Sequence, residues 1–463
     1  MLLCYLGFSQ NTIKTFYSLN DCIDIAIKNN LTLKSSTLRA ETSSVNFKQA
    51  KYNVLPNLNA NYNLGVNNGR SIDPFTNDYI NQELTFSNAG LNLNLTVFNG
   101  FRLMNTIKQN RFNMQAAEME IEEAKQNLIL DVTLAYIQIL NSKDMVELAK
   151  ARLETTSKQL TRLGVLYKEE VGNPADYTDM QGQYALDEMS VMNAENAFKE
   201  GVLNLIQLLN IETSDSDLVF ESIEGLIESE KYNLSADEVF NDALENLATF
   251  KSKELRINAA HNGIKVARSN YYPEISLFGQ LNTNYSSAAQ TFTETGTVIN
   301  ETGDFVNING NEFPVLQNQS LFQGEKINYN DQFDNNLNSV IGVSVTVPLF
   351  NGFRAKNTVK LQKIQKDESL IDYQNTKLLF KQSIEQAYLN MDAAFSRYHI
   401  LSNQVKAFEE SFRINEIRFN NGVSNVVEYI TSKNNLDASK LNLSNAKYEY
   451  LLRVKVLDYY RGI

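Results

Sequence analysis

Apolar and polar residues alternate one by one in four short segments of the chain. Residues 57–67 have apolar side chains at every second position and mostly asparagine between them. Residues 89–98 alternate in the same way, and residues 340–350 alternate with serine and threonine from Val343 onward. Residues 274–285 alternate less cleanly, because Phe278 falls among the polar positions. Successive side chains of a strand point to opposite faces. Each segment therefore predicts a strand with one aliphatic face and one amide-rich face.

A helix is predicted before each pair of strands, over residues 18–54 and 235–271. Each helix opens on a capping box, in which a serine and an acid three residues later satisfy the free N–H groups of the first turn. The two boxes are Ser18 with Asp21, and Ser235 with Glu238. Each helix ends just before a proline, Pro56 or Pro273, because proline cannot continue a helix.

Two helical hairpins are predicted after the strands, over residues 101–212 and 353–460. The first helix of each runs for about 65 residues without proline and would reach on the order of 100 Å. In the second copy, apolar residues of this helix recur at steps of three and four, as in a coiled-coil seam. They are Ile384, Tyr388, Met391, Phe395, Tyr398, Leu401, Val405, Phe408 and Phe412.

This order of elements occurs twice because the chain is an internal duplication. The first copy aligns on residues 217 positions later at its start and 252 positions later from its last strand onward, so 252 − 217 = 35 residues are inserted in the second copy between Asn284 and Gly342. The same five residues follow the last strand of each copy: Phe98, Asn99, Gly100, Phe101 and Arg102, and then Phe350, Asn351, Gly352, Phe353 and Arg354. The predicted repeats are residues 18–233 and 234–463, with β-structure at 56–98 and 273–350 and helices elsewhere.

The N-terminal residues 1–17 are interpreted as a tail that retains part of a signal peptide. The stretch MLLCYLGFSQ is apolar and ends in Gly7-Phe8-Ser9, a small-x-small pattern typical of a cleavage site, although it has no basic n-region. A frayed terminus is the alternative. A lipoprotein attached through Cys4 is disfavoured, because too little apolar sequence precedes that residue.

Composition narrows the possible functions. A formal net charge of −12 argues against a nucleic-acid-binding surface. Two cysteines and two distant histidines disfavour a disulfide framework and a metal site. No phosphate-binding loop, zinc-protease motif or nucleophile elbow occurs, so we expect no catalysis and no cofactor. The loop acids Asp304, Asp331 and Asp334 are interpreted as solvated residues rather than cation ligands.

Strands with one aliphatic and one amide face occur in soluble sheets and in transmembrane barrels. Here the helices already have apolar seams of their own, four strands of about ten residues match tilted barrel strands, and no stretch approaches the ~20 apolar residues of a spanning helix. Four strands cannot close a barrel alone, so several chains are expected to join through strand edges. Two chains would give eight strands and a filled interior, and three would give twelve and a channel.

The duplicated plan of helix, proline, strand, loop, strand, Phe-Asn-Gly-Phe-Arg and long hairpin resembles the TolC family of outer-membrane efflux proteins. The segment GRSIDPFTN, Gly69–Asn77, is similar to members from Bacteroidetes-type bacteria. The resemblance implies an α+β membrane protein: a homotrimer with a twelve-stranded barrel in the outer membrane of a Gram-negative bacterium and a coiled-coil helical tunnel in the periplasm. It also implies an adaptor protein and an inner-membrane RND or ABC transporter as partners, in an efflux pump or type I secretion system.

The same resemblance identifies candidates at the periplasmic mouth, where family members narrow. Glu428 matches the first of two acidic ring positions and Thr431 the second, so one ring is expected. Asp176 matches a residue that helps to close the mouth, and Asp179 lies one turn further. The tyrosine and arginine that lock the family's mouth correspond to Phe419 and Ser424, so any lock here must use other contacts. The alternative is that the acids are solvated turn residues.

Two other functions remain open at this point. A free-standing diffusion porin would have no use for a hairpin on the order of 100 Å long. A structural coiled-coil protein of the periplasm would have no pore and would not need lipid. The sequence does not identify the exported substrate, because selection in such systems belongs to the pump.

Overall fold

The computed structural model describes residues 15–72, 77–81, 83–212, 218–221 and 231–463. Residues 1–14 of the proposed signal remnant and residues 73–76 of the GRSIDPFTN segment lie outside the described part. The chain forms two compact units, each drawing on both sequence repeats. The helical unit contains residues up to Asn46, Gln109–His261 and Ile364–Ile463, and the sheet unit contains Phe47–Lys108 and Asn262–Lys363.

The described residues from Thr15 to Glu221 form six strands and four helices. In chain order they are β1 Thr15–Tyr17, α1 Leu19–Asn29, α2 Leu31–Tyr52, β2 Asn57–Asn67, β3 Arg70–Ile72, β4 Tyr79–Asn81, β5 Leu84–Asn99, α3 Arg102–Lys168, α4 Pro174–Leu209 and β6 Leu218–Phe220.

The second repeat follows the same plan with a larger insertion. Its elements are α5 Ala236–Asn246, α6 Ala248–Arg268, a short 3-10 turn Ser269–Tyr271, β7 Glu274–Ser286, β8 Gln290–Ile308, β9 Asn311–Lys326, α7 Tyr329–Asn335, β10 Asn338–Thr346, α8 Arg354–Asn420 and α9 Val426–Arg461.

The helices predicted over 18–54 and 235–271 are each interrupted after eleven residues. In the first, Asn30 leaves the helical conformation and its side-chain oxygen accepts hydrogen bonds from the N–H groups of Thr32 and Leu33 at 2.9 and 3.1 Å. Asn30 thus ends α1 and caps α2. The second break falls at Leu247. Both capping boxes form as expected, at Ser18 and Ser235.

Two predicted strand boundaries were wrong. The strand placed at 89–98 starts at Leu84, because residues 84–88 still have partners on β2 and most of them on β7 as well. The strand placed at 340–350 ends at Thr346, which pairs with Glu274, the first residue of β7. Beyond it, residues 347–350 pair with no strand among the described residues, and Pro348 has no N–H to donate.

The insertion in the second copy is not a plain polar loop. It forms the long antiparallel hairpin of β8 and β9, joined at Asn309-Gly310, followed by the short helix α7. Asn309 and Gly310 both have positive φ, as a type I′ turn requires. The Asn-Gly pair between alternating segments is the sequence signal that predicts such a hairpin.

The helical unit is organised by three apolar clusters along its helices. One joins α1, α3, α4 and α9, the second joins α5, α8 and α9, and the third lies where both hairpins turn. Part of the N-terminal tail belongs to this unit, because β1 pairs in parallel with β6. The Tyr136 hydroxyl lies 2.9 Å and 2.8 Å from the carbonyl oxygens of Tyr17 and Glu221 beside this pair. The last three residues of the predicted tail are therefore structural.

Candidate functional site

The four-stranded sheet has the order β10-β7-β5-β2, and every neighbouring pair is antiparallel. Its register aligns the aliphatic positions of all four strands on one face. Successive cross-strand rows on that face are Phe98/Ile275/Val345, Leu95/Leu277/Val343, Leu58/Leu93/Gly279/Ile341 and Ala60/Leu91/Leu281/Ser339. Many of these side chains are largely exposed, up to 89% for Ile341. A contiguous exposed apolar face of this kind indicates contact with lipid or with another protein.

The opposite face is a wall of amides. Its rows are Asn59/Asn92/Gln280/Val340, Asn61/Gly90/Asn282/Asn338 and Asn63/Asn88/Asn284. Neighbouring amides bond to one another, as where Asn92 donates to Asn61 at 2.9 Å. A wall of amide groups offers water hydrogen-bond donors and acceptors without a fixed charge.

Two phenylalanines on the amide face cover glycines on the neighbouring strand. A Cβ on Gly342 would meet the Phe278 ring at 2.5 Å, and one on Gly65 would meet the Phe86 ring at 2.8 Å. Phe278, which disturbed the alternation in the sequence, therefore has a structural explanation. An aromatic ring over a strand glycine is a known device for fixing register.

Aromatic residues mark both ends of the aliphatic face. Phe98 and Phe101 lie at the end where β5 leads into α3. At the other end of β5, Tyr285 of β7 and Tyr329 of α7 lie with ring centroids 4.9 Å apart. Between the rows of Phe98 and Tyr285, β5 rises about 34 Å, which is about 26 Å along an axis from which the strands are tilted by ~40°. That height is close to the ~25 Å apolar band of outer-membrane barrels.

The first copy of the five-residue motif forms a tight strand-to-helix turn. Gly100 and Phe101 both have φ near +65°, and the Asn99 side-chain oxygen accepts from the Leu103 N–H at 3.2 Å. The turn packs against the second copy, because a Cβ on Gly100 would lie 2.7 Å from Tyr272 Cβ. Arg102 also pairs with Glu274 at 3.4 Å.

The second copy of the motif has the same turn but no partner against it among the described residues. Gly352 and Phe353 have φ of 61°, and the rings of Phe350 and Phe353 are 5.7 Å apart, edge to face. Both rings are exposed, at 78% and 62%, and nothing lies within 4 Å of a Cβ on Gly352. The helix-to-strand turns differ at one position: Ser269 is buried before Pro273, whereas its equivalent Tyr52 is exposed before Pro56.

The turns of the two helical hairpins meet in an apolar cluster. Phe419 stacks on Tyr429 with ring centroids 4.8 Å apart, and both side chains are buried with Met180 and Leu163. Burial raises the pKa of the Tyr429 hydroxyl, so that group stays neutral. Phe419 is thus a core residue of this tip rather than a substitute for a phenolic lock.

The charged candidates at the tip lie at the surface. Glu428 pairs with Arg418 of the same hairpin at 3.8 Å, a partly exposed and therefore weak contact. Asp176 accepts from the Asn173 side chain at 3.2 Å. Asp179 and Thr431 are exposed, whereas the Ser424 hydroxyl is shielded from solvent.

An arginine joins the two hairpins at this tip. Arg162 of α3 donates to the carbonyl oxygen of Asn420 at 2.8 Å, at the C-terminal end of α8, where a cation is favoured by the helix dipole. Arg162 thus adds a polar contact between the hairpins to the apolar contacts that Phe419 makes. Sequence reasoning missed Arg162, since a single arginine on a helix carries no local signal.

A buried ion network joins the hairpins further along. Asp187 is fully buried and lies 2.6 Å from Arg152 Nε and 3.1 Å from Lys433 Nζ. Lys433 also contacts Asp437 at 2.7 Å, and Gln183 donates to Asp187 at 2.8 Å. The network spans α3, α4 and α9. Its residues come from distant parts of the sequence, so no spacing pattern could have predicted it.

The described residues hold neither a spanning helix nor a metal site. None of their helices is both long and apolar enough to cross a membrane. They also place no three His, Cys, Asp or Glu side chains together where an ion could be held, and Asp304, Asp331 and Asp334 form no such group.

Comparison with known proteins gives a consistent family match. The family model described as "Outer membrane efflux protein" matches residues 22–210 and 239–460. The outer membrane protein TolC of Vibrio cholerae is 24% identical over 352 residues, which cover 73% of this chain and 68% of that protein. Crystal structures of CusC (TM-score 0.77, 14% identity, 96% and 92% coverage) and of the Campylobacter jejuni CmeC outer membrane channel (0.75, 17%, 96% and 85%) share the fold.

Proposed function

Because the chain belongs to the outer membrane efflux protein family, we propose that it is a passive, trimeric exit duct of a tripartite efflux pump or type I secretion system. It is a channel protein of the outer membrane of a Gram-negative bacterium, not an enzyme. In the proposed assembly three chains close a twelve-stranded barrel. Their helices extend into the periplasm and meet an adaptor protein and an inner-membrane RND or ABC transporter.

The single observation that carries this proposal is the sheet register. It sorts side chains into one exposed aliphatic face and one amide face across all four strands. Aliphatic side chains gain about 25 cal/mol per Å² when they leave water, whereas amides need polar partners. A wall between hydrocarbon outside and water inside satisfies both faces at once.

Both edges of the sheet are free to receive a neighbouring chain. β2 and β10 each have only one strand partner among the described residues, and unpaired edges are not tolerated in lipid. The two edge strands run in opposite directions, so β10 of one chain can pair with β2 of the next in antiparallel fashion. Such a head-to-tail contact closes into a ring.

The duplication supplies a template for this contact. Inside the chain, the last strand of copy one, β5, pairs with the first strand of copy two, β7, with Leu91 opposite Leu281. Moving both residues to their equivalents, by +252 and −217 respectively, places Val343 opposite Leu64 of the next subunit. Val345 is then opposite Tyr62 of the next subunit. The apolar face continues across the joint without a break.

The exposed turn of the second motif and the exposed residues before Pro56 are the two sides of a contact that already exists within the chain. The first motif packs against Ser269 and Tyr272, whose equivalents in copy one are Tyr52 and Leu55. Tyr52 and Leu55 are exposed at 60% and 63%, and so are Phe350 and Phe353. We therefore expect the second motif to pack on these residues of the next subunit. The ion pair between Arg102 and Glu274 is not repeated, because Asn57 stands at the equivalent of Glu274.

Cysteine cross-linking tests the proposed register and the number of chains. In a Cys4→Ser background, V343C with L64C should give an oxidised species of three covalently joined chains in denaturing gels. The control S344C with L64C should not, because Ser344 lies on the amide face. A ladder that stops at two chains would favour an eight-stranded dimer. No difference between the two pairs would contradict the register.

The two alternatives predict different behaviour of the purified protein. A diffusion porin would conduct at rest in planar bilayers, whereas a duct that opens on its pump should be closed at rest. A structural coiled-coil protein would be found in the soluble periplasmic fraction without detergent. The apolar cluster around Phe419 and the hydrogen bond from Arg162 to Asn420 join the two hairpins at the tip and favour a mouth held shut.

Of the acids at the tip, we propose that Glu428 lines the entrance of the duct. Three copies of Glu428 around a threefold axis would form one ring that favours cations or basic groups of an adaptor. Arg418, which pairs with Glu428, would partly neutralise the negative charge of that ring. Thr431 leaves the second ring position neutral. Asp176 and Asp179 are proposed to face the adaptor rather than to lock the mouth, since neither bonds to the other hairpin in the structure.

A further inference from the structure

The β8–β9 hairpin is an addition that the sheet itself does not need. In copy one, the same pair of sheet strands is bridged by the short strands β3 and β4, and the second copy is longer by 252 − 217 = 35 residues. The hairpin leaves the sheet at Ser286–Ala289, directly after β7. Nearly all its residues are exposed. A two-stranded ribbon of this kind is marginally stable in water by itself, so its length indicates a separate use.

The two edges of this ribbon are protected very differently. β8 is interrupted by irregularities after Glu294 and after Glu301, and it carries Glu294, Glu301 and Asp304. Bulges and charges are the usual means of preventing another strand from adding to an edge. β9 runs without interruption, and its residues 315–324, VLQNQSLFQG, contain no charge. An edge of that composition readily accepts a further strand.

The backbone groups available on this edge can be assigned. The hydroxyls of Thr302 and Thr295 on β8 donate to the carbonyl oxygens of Val315 and Leu321, so these odd-numbered residues face β8. Because the direction alternates along a strand, the even-numbered residues face outward. Pro314, which has no N–H, is even-numbered, and an outward position is where a strand tolerates proline.

The charge of the hairpin indicates what could occupy the edge. Residues 290–326 contain five acids and one lysine, a net charge of 1 − 5 = −4. Glu294 and Glu301 pair across the ribbon with Phe322 and Leu316 of β9, on one face. A strand added at ~4.8 Å from β9 would place its lysine or arginine side chains within reach of these acids, across the apolar residues. A second copy of the same acidic hairpin would be repelled.

We propose that the outward edge of β9 binds an extended, basic segment of another polypeptide by strand addition. Backbone hydrogen bonds to Leu316, Asn318, Ser320 and Phe322 supply the pairing, and the acids of β8 select basic side chains. The location of this edge outside the cell rests on the proposed function. The assignment of the binding edge to β9 does not rest on the proposed function, and peptide binding can be measured whether or not the protein conducts ions.

Two proline variants on one rung test the proposal. Ser320 and Thr297 are cross-strand partners, so S320P removes an outward N–H from β9 and T297P removes one from β8. The full-length protein in detergent at 150 mM salt is titrated with a fluorescein-labelled decapeptide of alternating Val and Lys. We expect S320P to weaken binding at least tenfold and T297P to change it less than twofold. Equal effects of both variants, or none, would overturn the assignment to β9.

Further measurements separate the remaining outcomes. A decapeptide of alternating Val and Glu should bind at least tenfold more weakly, and equal binding would refute the charge selection. Hydrogen exchange of the 314–324 segment should slow when the Val/Lys peptide is added, and unchanged exchange would refute strand addition. If the protein without peptide already shows a protected β9 and association between particles that S320P abolishes, the occupant is a second copy and the proposal is wrong.

Discussion

At the scale of single residues, the two equivalent glycines of the repeated motif have unequal surroundings. Gly100 and Gly352 share a left-handed conformation, with φ of 65° and 61°. A Cβ on Gly100 would lie 2.8 Å from the Ser269 carbonyl oxygen, whereas one on Gly352 would have no described residue within 4 Å. If the duplication describes the subunit contact, Gly352 is crowded only in the assembly.

Alanine at these positions separates folding from assembly. G352A should leave the secondary structure of the subunit intact but lower the temperature at which the trimer dissociates in detergent, whereas G100A should lower the temperature at which the subunit itself unfolds. The left-handed strain alone costs about 1–2 kcal/mol. Gly303, with φ of 87° and open space around it, provides the matched control for that strain. A G352A trimer as stable as the G303A trimer would contradict the proposed contact.

At the scale of elements, the buried ion network decides how firmly the two hairpins are joined. Asp187 of α4 contacts Arg152 of α3 and Lys433 of α9, and Asp187 and Lys433 are almost completely buried. Removing one partner of a buried pair leaves a charge without compensation, which is more costly than replacing the whole pair by apolar residues. The network is therefore a specific link between helices as well as a contribution to stability.

Hydrogen exchange of the α4 and α9 segments can measure this link. D187A should cost about 3 kcal/mol, which corresponds to exchange on the order of a hundredfold faster where local opening governs it. The double variant D187L with K433M should recover most of that loss. Glu154→Gln removes an exposed pair with Lys158 on α3 and should have no measurable effect. Unchanged exchange in D187A would show that the apolar clusters alone hold the hairpins.

At the scale of the whole molecule, the proposed duct has a neutral wall and a charged mouth. The amide face offers no strong preference for either sign of ion, so selectivity should arise at the helical tip. Glu428 and Arg418 are the two charges that contact each other there. Their substitution should act in opposite directions.

Single-channel recordings of the opened trimer test the mouth. E428Q should lower the ratio of cation to anion permeability by about twofold, and R418Q should raise it by a similar factor, because each changes the charge near a narrow axis. D179N, at an exposed position of the first hairpin, serves as the control. If E428Q leaves the permeability ratio unchanged, Glu428 is not part of the entrance.

The sequence by itself determined the duplication, the two long hairpins and the two-faced strands. These features follow from local patterns in the sequence: alternation of apolar and polar residues with a period of two, apolar residues spaced by three and four, capping boxes and prolines. It could not determine the break at Leu247, where the Ala248 N–H donates to Gln126 of α3, or the end of β10 at Thr346, since each depends on which partner lies beside the chain. Only the tertiary structure brought Arg152, Asp187 and Lys433 together. It also packed the first Phe-Asn-Gly-Phe-Arg motif against other residues and left the second exposed. Both results depend on contacts between residues far apart in the chain, which no local pattern encodes.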